Sequence, residues 1–281
     1  MSGKSSSAAF NCLARPRKPS NEDQTLNDIK HSWSWREVAG HLAFLIVFIG
    51  AWEFACAHGW LDATFFGRPS EITAYLYQGF VSKPTLWLDL GYTLLGTAVS
   101  FVLGSVLAIL LGLMFVTWPR FERAADPYLT LLNAMPRIAL VPLFLLWFGL
   151  GIGSKIAVGT SLSFFIVLAN TVAGIRGVSG DLLTLTRSLG ASPLQLFMQV
   201  TLPSAVPVIA SGLRLALVYS MLGVVGAELI AAEHGLGQQL AYMQSTFNMN
   251  GVMGLLLVLA LLGVVVTSGM SWLERRLLRW Q

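Results

Sequence analysis

Six apolar segments, each long enough to cross a lipid bilayer, constrain the fold of this chain more than any other feature. A helix of about 20 apolar residues spans the hydrocarbon core of a membrane. Segments that meet this criterion run over residues 37–57, 91–118, 127–148, 155–175, 203–230 and 252–272. Backbone N–H and C=O groups in lipid must bond one another, and a helix does this within one segment. The sequence therefore predicts an all-α membrane protein with six transmembrane helices.

Composition supports a membrane protein and argues against a soluble one. Hydrophobic residues make up 55% of the chain and charged residues only 11%, whereas about a quarter of the residues in soluble domains are charged. The formal net charge of +4 does not indicate a nucleic-acid partner, because the basic residues lie mostly in tails and loops between the spans.

The distribution of basic residues predicts that both termini lie in the cytoplasm. Arg68, Lys83 and Lys155 lie on the side opposite the N terminus, and Arg137 lies within the third span. The remaining Lys and Arg residues lie on the N-terminal side, and an excess of Lys and Arg marks the cytoplasmic face of a membrane protein.

The first 34 residues differ in composition from the rest of the chain. Residues 1–34 are polar, which predicts a disordered cytoplasmic tail. Residues 35–281 are predicted to form one transmembrane domain, with a core at about 91–272. The run Gly3-Lys4-Ser5 matches the end of a phosphate-binding loop, but the upstream glycine and strand of that motif are missing. We therefore expect no nucleotide site in this chain.

The longest polar interruption of the transmembrane domain runs over residues 181–207. Gly190 can adopt the positive φ that ends a helix. Ser192 can cap the next helix, and Pro193 fits the first position of that helix. We expect Pro203 to begin a fresh helix. The segment is therefore predicted to be a short cytoplasmic hairpin of two helices, and it lacks the metal ligands and paired carboxylates of a reaction site.

A stripe of small residues follows one face of the second predicted span. Gly96, Ser100, Gly104, Ala108 and Gly112 recur at every fourth position. Small residues let a neighbouring helix approach closely in lipid. The pattern predicts helix packing at this face, either within the chain or across a dimer.

No group of side chains in the sequence indicates catalysis or metal binding. The four histidines have neither the spacing of metal ligands nor a carboxylate at helical reach. They are His31, His41, His58 and His234.

Glu53 and Glu228 lie towards the outer ends of their spans, where we expect them to form structural ion pairs or, as a second interpretation, to line a solute path. We predict no catalytic residue, no metal and no cofactor.

The hairpin resembles the EAA loop of ATP-binding cassette (ABC) importer permeases. The resemblance rests on the run Arg187-Ser188-Leu189-Gly190-Ala191-Ser192, followed by Leu202-Pro203 and Pro207. In that family the loop forms a coupling helix that docks into a groove of the ATPase subunit. The resemblance implies a coupling loop at 181–203 whose ATPase-coupling residues are Thr184, Arg187, Ser188, Gly190, Ala191, Ser192 and Pro203.

Further motifs are similar to the nitrate, sulfonate, taurine and bicarbonate branch of these permeases. They are Phe164-Phe165 with Asn170-Thr171 and Gly174-Ile175-Arg176, Ala227-Glu228-Leu229-Ile230 with Gly235-Leu236-Gly237, and Leu273-Glu274-Arg275-Arg276-Leu277-Leu278. The resemblance covers nearly everything after about Trp52. It departs at Thr184-Leu185-Thr186, where the family usually has Glu-Ala-Ala. The acidic contact of the family is therefore missing, although the Gly and Pro positions are intact.

The resemblance implies a function as well as a fold. The expected fold is that of a type I ABC importer permease in the inner membrane. The expected partners are a second copy of this chain, two cytoplasmic ATPase subunits that hydrolyse ATP, an extracytoplasmic solute-binding protein and membrane lipid. The expected solute is a small anion such as an aliphatic sulfonate, taurine or nitrate.

Arg137, Asn170 and Glu228 are the residues that we place in a hypothetical solute path. Counted from Pro127, Arg137 lies roughly 15 Å into the third span, close to the middle of the membrane. Pro136 cannot donate a backbone hydrogen bond, so the helix is expected to open there and to direct Arg137 towards a cavity. In the alternative interpretation the span begins deeper in the cytoplasm, and Arg137 reaches the inner headgroups or pairs with an acid.

Two other classes of membrane protein remain as alternatives. A polytopic enzyme acting on lipid substrates would need a cluster of acids, His or Cys at the membrane surface. A secondary transporter would be expected to show repeated halves with broken helices. The sequence shows neither pattern.

Overall fold

The computed structural model describes residues 35–82 and 85–277, and the predicted tail at residues 1–34 lies outside them. Within the described residues the regular structure is helical and contains no strand. The chain divides into two compact units, Met1–Trp52 and Glu53–Gln281.

The first helix, α1, runs over Trp35–Ala57 and extends from the first unit into the second. Its segment Glu37–Ala57 is long and apolar enough to cross a membrane. Large apolar side chains such as Phe44, Ile46 and Val47 are exposed along it. Exposed apolar side chains over a span of this length suit contact with lipid.

The second unit contains four long helices joined by shorter ones. Before the first long helix come α2 (Ala63–Phe66) and α3 (Pro69–Tyr77), the latter followed by a π-helical turn at Gln78–Ser82. The remaining helices are α4 (Leu86–Thr117), α5 (Pro119–Ala134), a 3₁₀ turn (Arg137–Leu140), α6 (Val141–Phe148), α7 (Ile152–Arg176), α8 (Gly180–Ser188), α9 (Pro193–Gln195), a π-helical turn (Leu196–Thr201), α10 (Leu202–Ile230), α11 (Leu236–Ser245) and α12 (Met249–Leu277).

Helices α4, α7 and α10 pack against one another and form the core of the second unit. The small-residue stripe lies at these contacts and is buried. A Cβ atom added at Gly112 would lie 2.7 Å from the Thr171 side chain of α7, and one added at Gly96 would lie 3.2 Å from Val224 of α10. The stripe therefore serves helix packing within the chain, which was one of the two predicted alternatives.

The third predicted span, residues 127–148, is not one continuous helix. Five described helices are long and apolar enough to cross a membrane, and a sixth span requires Pro119–Ala134 and Arg137–Phe148 together, which meet at an angle of 88°. The break follows from Pro136, which disfavours the α conformation of the residue before it. Met135 accordingly has an extended backbone, with φ −69° and ψ 135°. The expected local opening at Pro136 is thus a sharp bend.

Candidate functional site

The hairpin has the local structure that its sequence predicts. Helix α8 ends at Ser188, and Gly190 follows with a φ of +85°. The Ser192 side chain accepts a hydrogen bond from the Gln195 N–H, and the Gln195 side chain accepts one from the Ser192 N–H, so that the pair forms a capping box. Pro193 occupies the first turn of α9. The predicted turn, cap and helix start are all confirmed.

Pro203 lies in the first turn of α10, as predicted, but α10 is not separated from the segment before it. Residues Pro193–Ile230 form one uninterrupted helical span, in which the π-helical turn Leu196–Thr201 leads directly into α10. Pro203 has no N–H to donate, and its ring would clash with the carbonyl four residues earlier in a regular α-helix. The wider π turn accommodates it, and the Leu202 N–H bonds to the Phe197 carbonyl. The hairpin is therefore rigidly continuous with α10.

Apolar side chains project from the tip of the hairpin into the surroundings. Leu189 is 79% exposed, Leu194 is 68% exposed and Leu185 is 59% exposed. Beneath the tip lies a groove of about 490 Å³, lined by Val116, Ile175, Arg176, Leu183, Arg187, Ala191, Pro193, Leu196, Phe197 and Thr201. An exposed apolar group on a rigid support is a surface that a partner protein can cover.

The hydroxyl groups of α8 donate hydrogen bonds to backbone carbonyls within that helix. Thr184 Oγ1 donates to the Gly180 carbonyl at 2.9 Å, and Ser188 Oγ donates to the Thr184 carbonyl at 3.0 Å. Thr184 stands where the family usually has an acid, and its hydroxyl already stabilises α8. The hairpin thus presents apolar side chains at its surface and no charge at residue 184.

Arg137 lies against the middle of α7. Its guanidinium carbon is 4.4 Å from the centre of the Phe165 ring, and its Nη2 donates to Asn133 Oδ1. At 1.5 Å per residue, Phe165 is roughly 20 Å from the Ile152 end of α7 and roughly 17 Å from the Arg176 end. Within the described ranges, none of the ion pairs includes Arg137.

Asn170 and Glu228 are not brought together with each other in the structure. Asn170 lies near the Arg176 end of α7, donates from Nδ2 to the Ile166 carbonyl at 2.8 Å, and packs against Gly212 of α10. Glu228 lies in the last turn of α10, at the opposite end of the core. The three residues of the hypothetical path therefore occupy different levels of the helices.

Glu228 is fully buried in a polar network that the sequence did not reveal. Its carboxylate lies 3.6 Å from Lys155 Nζ and accepts hydrogen bonds from Thr93 Oγ1 and from the Gly237 N–H. Asp89 Oδ1 accepts a hydrogen bond from the Gly235 N–H in the same network. One sequence feature could have identified Lys155 and Asp89 as candidate site residues, because each is a lone charge close to the end of a long apolar segment. Glu53, the other acid considered, pairs with Arg68 at 3.1 Å.

Metal-ligating side chains do not cluster in the part of the chain that the structure describes. No group of three or more His, Cys, Asp or Glu residues there has the arrangement of a metal site. The ring of His234 stacks on Tyr92, with 4.8 Å between ring centres, and the ring of His58 contacts Phe54. These two histidines thus have packing roles.

Comparison with protein families decides the class of this protein. Residues 100–279 match the family described as the binding-protein-dependent transport system inner membrane component. This chain belongs to that family. It is accordingly a multi-pass membrane protein and the permease subunit of an ABC importer, and ATP hydrolysis belongs to a separate ATPase partner. Members of the family act as permease dimers with an ATPase and a binding protein, which excludes the two alternative classes.

Individual relatives extend the similarity over most of the chain. The formylaminopyrimidine transport permease protein of Halalkalibacterium halodurans is 32% identical over 252 residues, which cover 88% of this chain and 98% of that protein. A putative aliphatic sulfonates transport permease protein of Bacillus subtilis is 33% identical, with 84% of this chain and 85% of that protein covered. The taurine transport system permease protein of Escherichia coli is 29% identical and covers 92% of this chain and 96% of its own length.

Solved structures confirm the fold. An inward-facing conformation of the MetNI methionine ABC transporter superimposes with a TM-score of 0.60 at 20% identity, covering 69% of this chain and 98% of that chain. A chain of an amino acid ABC transporter structure has a TM-score of 0.55 at 18% identity, with 67% and 92% covered. The type I ABC importer permease fold that the hairpin motif implied is thus the fold of this chain.

Proposed function

We propose that this permease imports a small organic or inorganic anion, of which aliphatic sulfonates, taurine and nitrate are the leading candidates. We further propose a complex of two copies of this chain with two ATPase subunits, and both termini of the chain in the cytoplasm. Relatives named for sulfonates and taurine support the solute class. The observation that carries the proposal is the arginine at mid-helix level, Arg137.

Arg137 is the residue that we assign to attract the anion. A charge in the middle of a membrane is costly and is retained where it faces a water-filled path, a partner or a ligand. The Phe165 ring stabilises the cation but does not neutralise it. Since no carboxylate of the described residues pairs with this guanidinium, an anionic solute is the complementary charge. Asn170, nearer the hairpin end of α7, is proposed to line the same path, whereas the second interpretation of Glu228 is not pursued because its carboxylate is occupied.

Uptake by the reconstituted complex tests the solute and Arg137 together. We expect labelled taurine, an alkanesulfonate or nitrate to be taken up, and Arg137→Gln to reduce uptake roughly tenfold or more, since each 1.4 kcal/mol of lost interaction is a factor of ten. Arg137→Lys keeps the charge but loses the planar fork, so it should retain more activity.

The controls for this experiment separate folding from transport. Both Arg137 variants should assemble with the ATPase in wild-type amounts, because the side chain is at a surface and not in the core. Formylaminopyrimidine, which has no anionic group, serves as the comparison solute. Uptake of that compound alone would refute the anion assignment, and full uptake by Arg137→Gln would refute the assigned role of Arg137.

The docking hairpin, residues 180–201, is the surface that we assign to the ATPase. Leu185, Leu189 and Leu194 would enter an apolar groove of the partner, while Gly190 and the capping box of Ser192 hold the two arms in place. Arg187, Ala191 and Pro193 support the tip from the groove beneath it. Because the second arm is continuous with α10, movement of the ATPase would be transmitted directly to the core.

Replacing Leu189 by Glu tests this surface. A charge at a contact that excludes water costs several kcal/mol unless it is paired, so we expect little ATPase to co-purify with Leu189→Glu. The thermal stability of the permease itself should be unchanged, because the side chain is exposed. Leu189→Met, which keeps an apolar side chain of similar size, is the matched control and should retain the ATPase. Normal co-purification with the Glu variant would refute the assignment.

The two cysteines of the chain offer a test of orientation. Cys12 lies in the N-terminal tail, and Cys56 is buried. With Cys56 replaced by Ala, a membrane-impermeant maleimide should leave Cys12 unmodified in intact cells and modify it after lysis. Modification in intact cells would place the N terminus outside.

A further inference from the structure

The turn at residues 234–237 is held by a set of four side chains that come from three different helices. We call this set the clasp. Helix α4 contributes two members, and α7 and α10 contribute one each. The members of the clasp are Asp89, Thr93, Lys155 and Glu228.

Each member of the clasp bonds to the backbone of a different residue in four consecutive positions. Lys155 Nζ donates to the His234 carbonyl, the Gly235 N–H donates to Asp89 Oδ1 at 2.8 Å, the Leu236 N–H donates to Thr93 Oγ1 at 2.9 Å, and the Gly237 N–H donates to Glu228 Oε2 at 3.0 Å. The first N–H groups of a helix have no partner inside that helix. The clasp satisfies these groups at the start of α11 and fixes where α11 begins.

Burial makes the bonds of the clasp interdependent. The Lys155 and Glu228 side chains are 2% and 0% exposed, and their charged groups lie 3.6 Å apart. Removing one partner of a buried pair leaves an uncompensated charge, whereas removing both is often tolerated. Thr93 connects the pair to the turn, because its hydroxyl donates to Glu228 and accepts from Leu236.

The turn fits the clasp in only one way. Gly235 has a φ of +124°, and a Cβ atom at this position would overlap the Glu228 carboxylate. A side chain is therefore excluded both by the backbone conformation and by the space available. The turn cannot shift by one residue without losing all four bonds.

The clasp lies at the end of the core that faces away from the docking hairpin. Asp89, Lys155 and Glu228 are all close to the ends of their helices. A cavity of about 270 Å³ opens beside them, lined by Tyr92, Leu150, Gly151, Ile152, Lys155, Glu233 and His234. In the orientation given under Proposed function, this cavity is on the outer face, where a solute enters.

We propose that Lys155 and Glu228 are positioning residues for transport: their ion pair holds the 234–237 turn across the outer ends of α4, α7 and α10, and this clasp must open and re-form in each transport cycle. The assignment rests on the proposed orientation and on the import function. Packed hydrophobic residues at these positions would be enough to stabilise the fold. The proposal therefore assigns the buried charges a different role, which is to control access of the solute from the outer face.

A buried probe beneath the clasp reports on its opening. Val158 is 0% exposed, lies one helical turn from Lys155, and packs with Val141 and Ala227. Val158→Cys is introduced into a chain in which Cys12 and Cys56 are replaced by Ser and Ala. The complete complex, reconstituted with its ATPase and binding protein, is treated from outside with a membrane-impermeant maleimide, at rest and during ATP turnover.

The clasp variants are Lys155→Met, Glu228→Gln and the combination of both. In the parent chain the thiol should react slowly at rest and faster during turnover. Each single variant should raise the resting rate roughly fivefold or more, the lower limit of a typical coupling between two states. The double variant should regain thermal stability, since no buried charge is left unpaired, yet keep the raised resting rate, because the His234 carbonyl has lost its donor.

Several outcomes would overturn the proposal. If the double variant regains stability and also reacts as slowly as the parent chain, the pair only balances charge. A probe that reacts no faster in turnover than at rest shows that the clasp does not open. Should the single variants fail to assemble, the double variant decides alone.

A second ion pair supplies the matched control. Arg68 and Glu53 form a partly exposed pair at 3.1 Å, and Arg68→Met should leave the labelling rate unchanged. If the parent complex takes up no solute, the import function is wrong. Labelling of the Val158→Cys probe tests the clasp independently of uptake. The two failures are thus distinguishable.

Discussion

Buried charges occupy one end of the α4–α7–α10 core, and exposed apolar side chains occupy the other. At the clasp end, Lys155 and Glu228 are buried and bonded to groups of the same chain. At the hairpin end, Leu189 and Leu194 are exposed, although the hairpin backbone is well capped. Burial normally selects the opposite distribution of residue types.

This difference indicates how each end is completed. Charged groups can be buried only where their partners are already present, so the clasp end is finished by the chain itself. Exposed apolar groups on the hairpin are removed from water, and so contribute to stability, only when another protein covers them. Damage at the clasp end should therefore impair the permease itself, and damage at the hairpin end should impair its coupling to a partner.

The largest effect is expected from Gly235→Ala at the clasp end. Positive φ at a residue with a Cβ costs about 1–3 kcal/mol, and this Cβ would also displace the Glu228 carboxylate. The midpoint of thermal unfolding and the yield of assembled complex should both fall. Gly226→Ala is the matched control, because Gly226 lies in α10 and an added Cβ meets no atom within 4 Å. Equal stability of the two variants would contradict the described geometry of the clasp.

A smaller effect is expected from Gly190→Val at the hairpin end. Space is not limiting, since an added Cβ meets no atom within 4 Å, but φ is +85°, so strain of about 1 kcal/mol or more is concentrated in the turn. ATP hydrolysis stimulated by the binding protein should fall while assembly of the transmembrane core is retained. Gly190→Asn, a residue that tolerates positive φ better, should couple more efficiently than the Val variant. A fully coupled Val variant would show that the turn does not position the second arm.

The smallest effect is expected from Ser192→Ala, which removes the cap of the second arm. Loss of an exposed N-cap costs about 0.5–1 kcal/mol, and α9 continues into α10 in any case. Amide hydrogen exchange at residues 194–196 should become faster, with at most a modest drop in stimulated ATP hydrolysis. Ser192→Asp, which can cap equally well, should restore slow exchange. If Ser192→Ala exchanges as slowly as the parent, the continuous helix alone holds the arm.

The hairpin was the part of the candidate site that sequence described well. Gly190, Ser192 and Pro193 act through their own backbone preferences and through bonds to residues within a few positions. Pro203 lies in the first turn of α10, as its backbone preference predicts. A proline in this position can either begin a separate helix or follow a π turn within a longer one. Only the packing of the whole segment distinguishes these two outcomes.

The clasp, by contrast, could not be predicted from the sequence. The bond from Gly235 to Asp89 joins residues 146 positions apart, and that from Leu236 to Thr93 joins residues 143 positions apart. The sequence marks Glu228 as a costly charge in an apolar segment, but it does not indicate that Lys155, at the outer end of the fourth predicted span, is its partner. Which distant charges meet depends on how the helices are packed and rotated.

The sequence by itself determined the class of protein, the number of apolar segments, and the turn and cap of the docking hairpin. These follow from hydrophobicity, backbone preference and hydrogen bonds between near neighbours, which act over a few residues. Tertiary structure alone decided the level of Arg137 beside Phe165 and the hydrogen bonds of the clasp to the 234–237 turn. The physical reason is that each of these depends on which faces of separate helices come into contact, and close packing of α4, α7 and α10 sets those faces jointly.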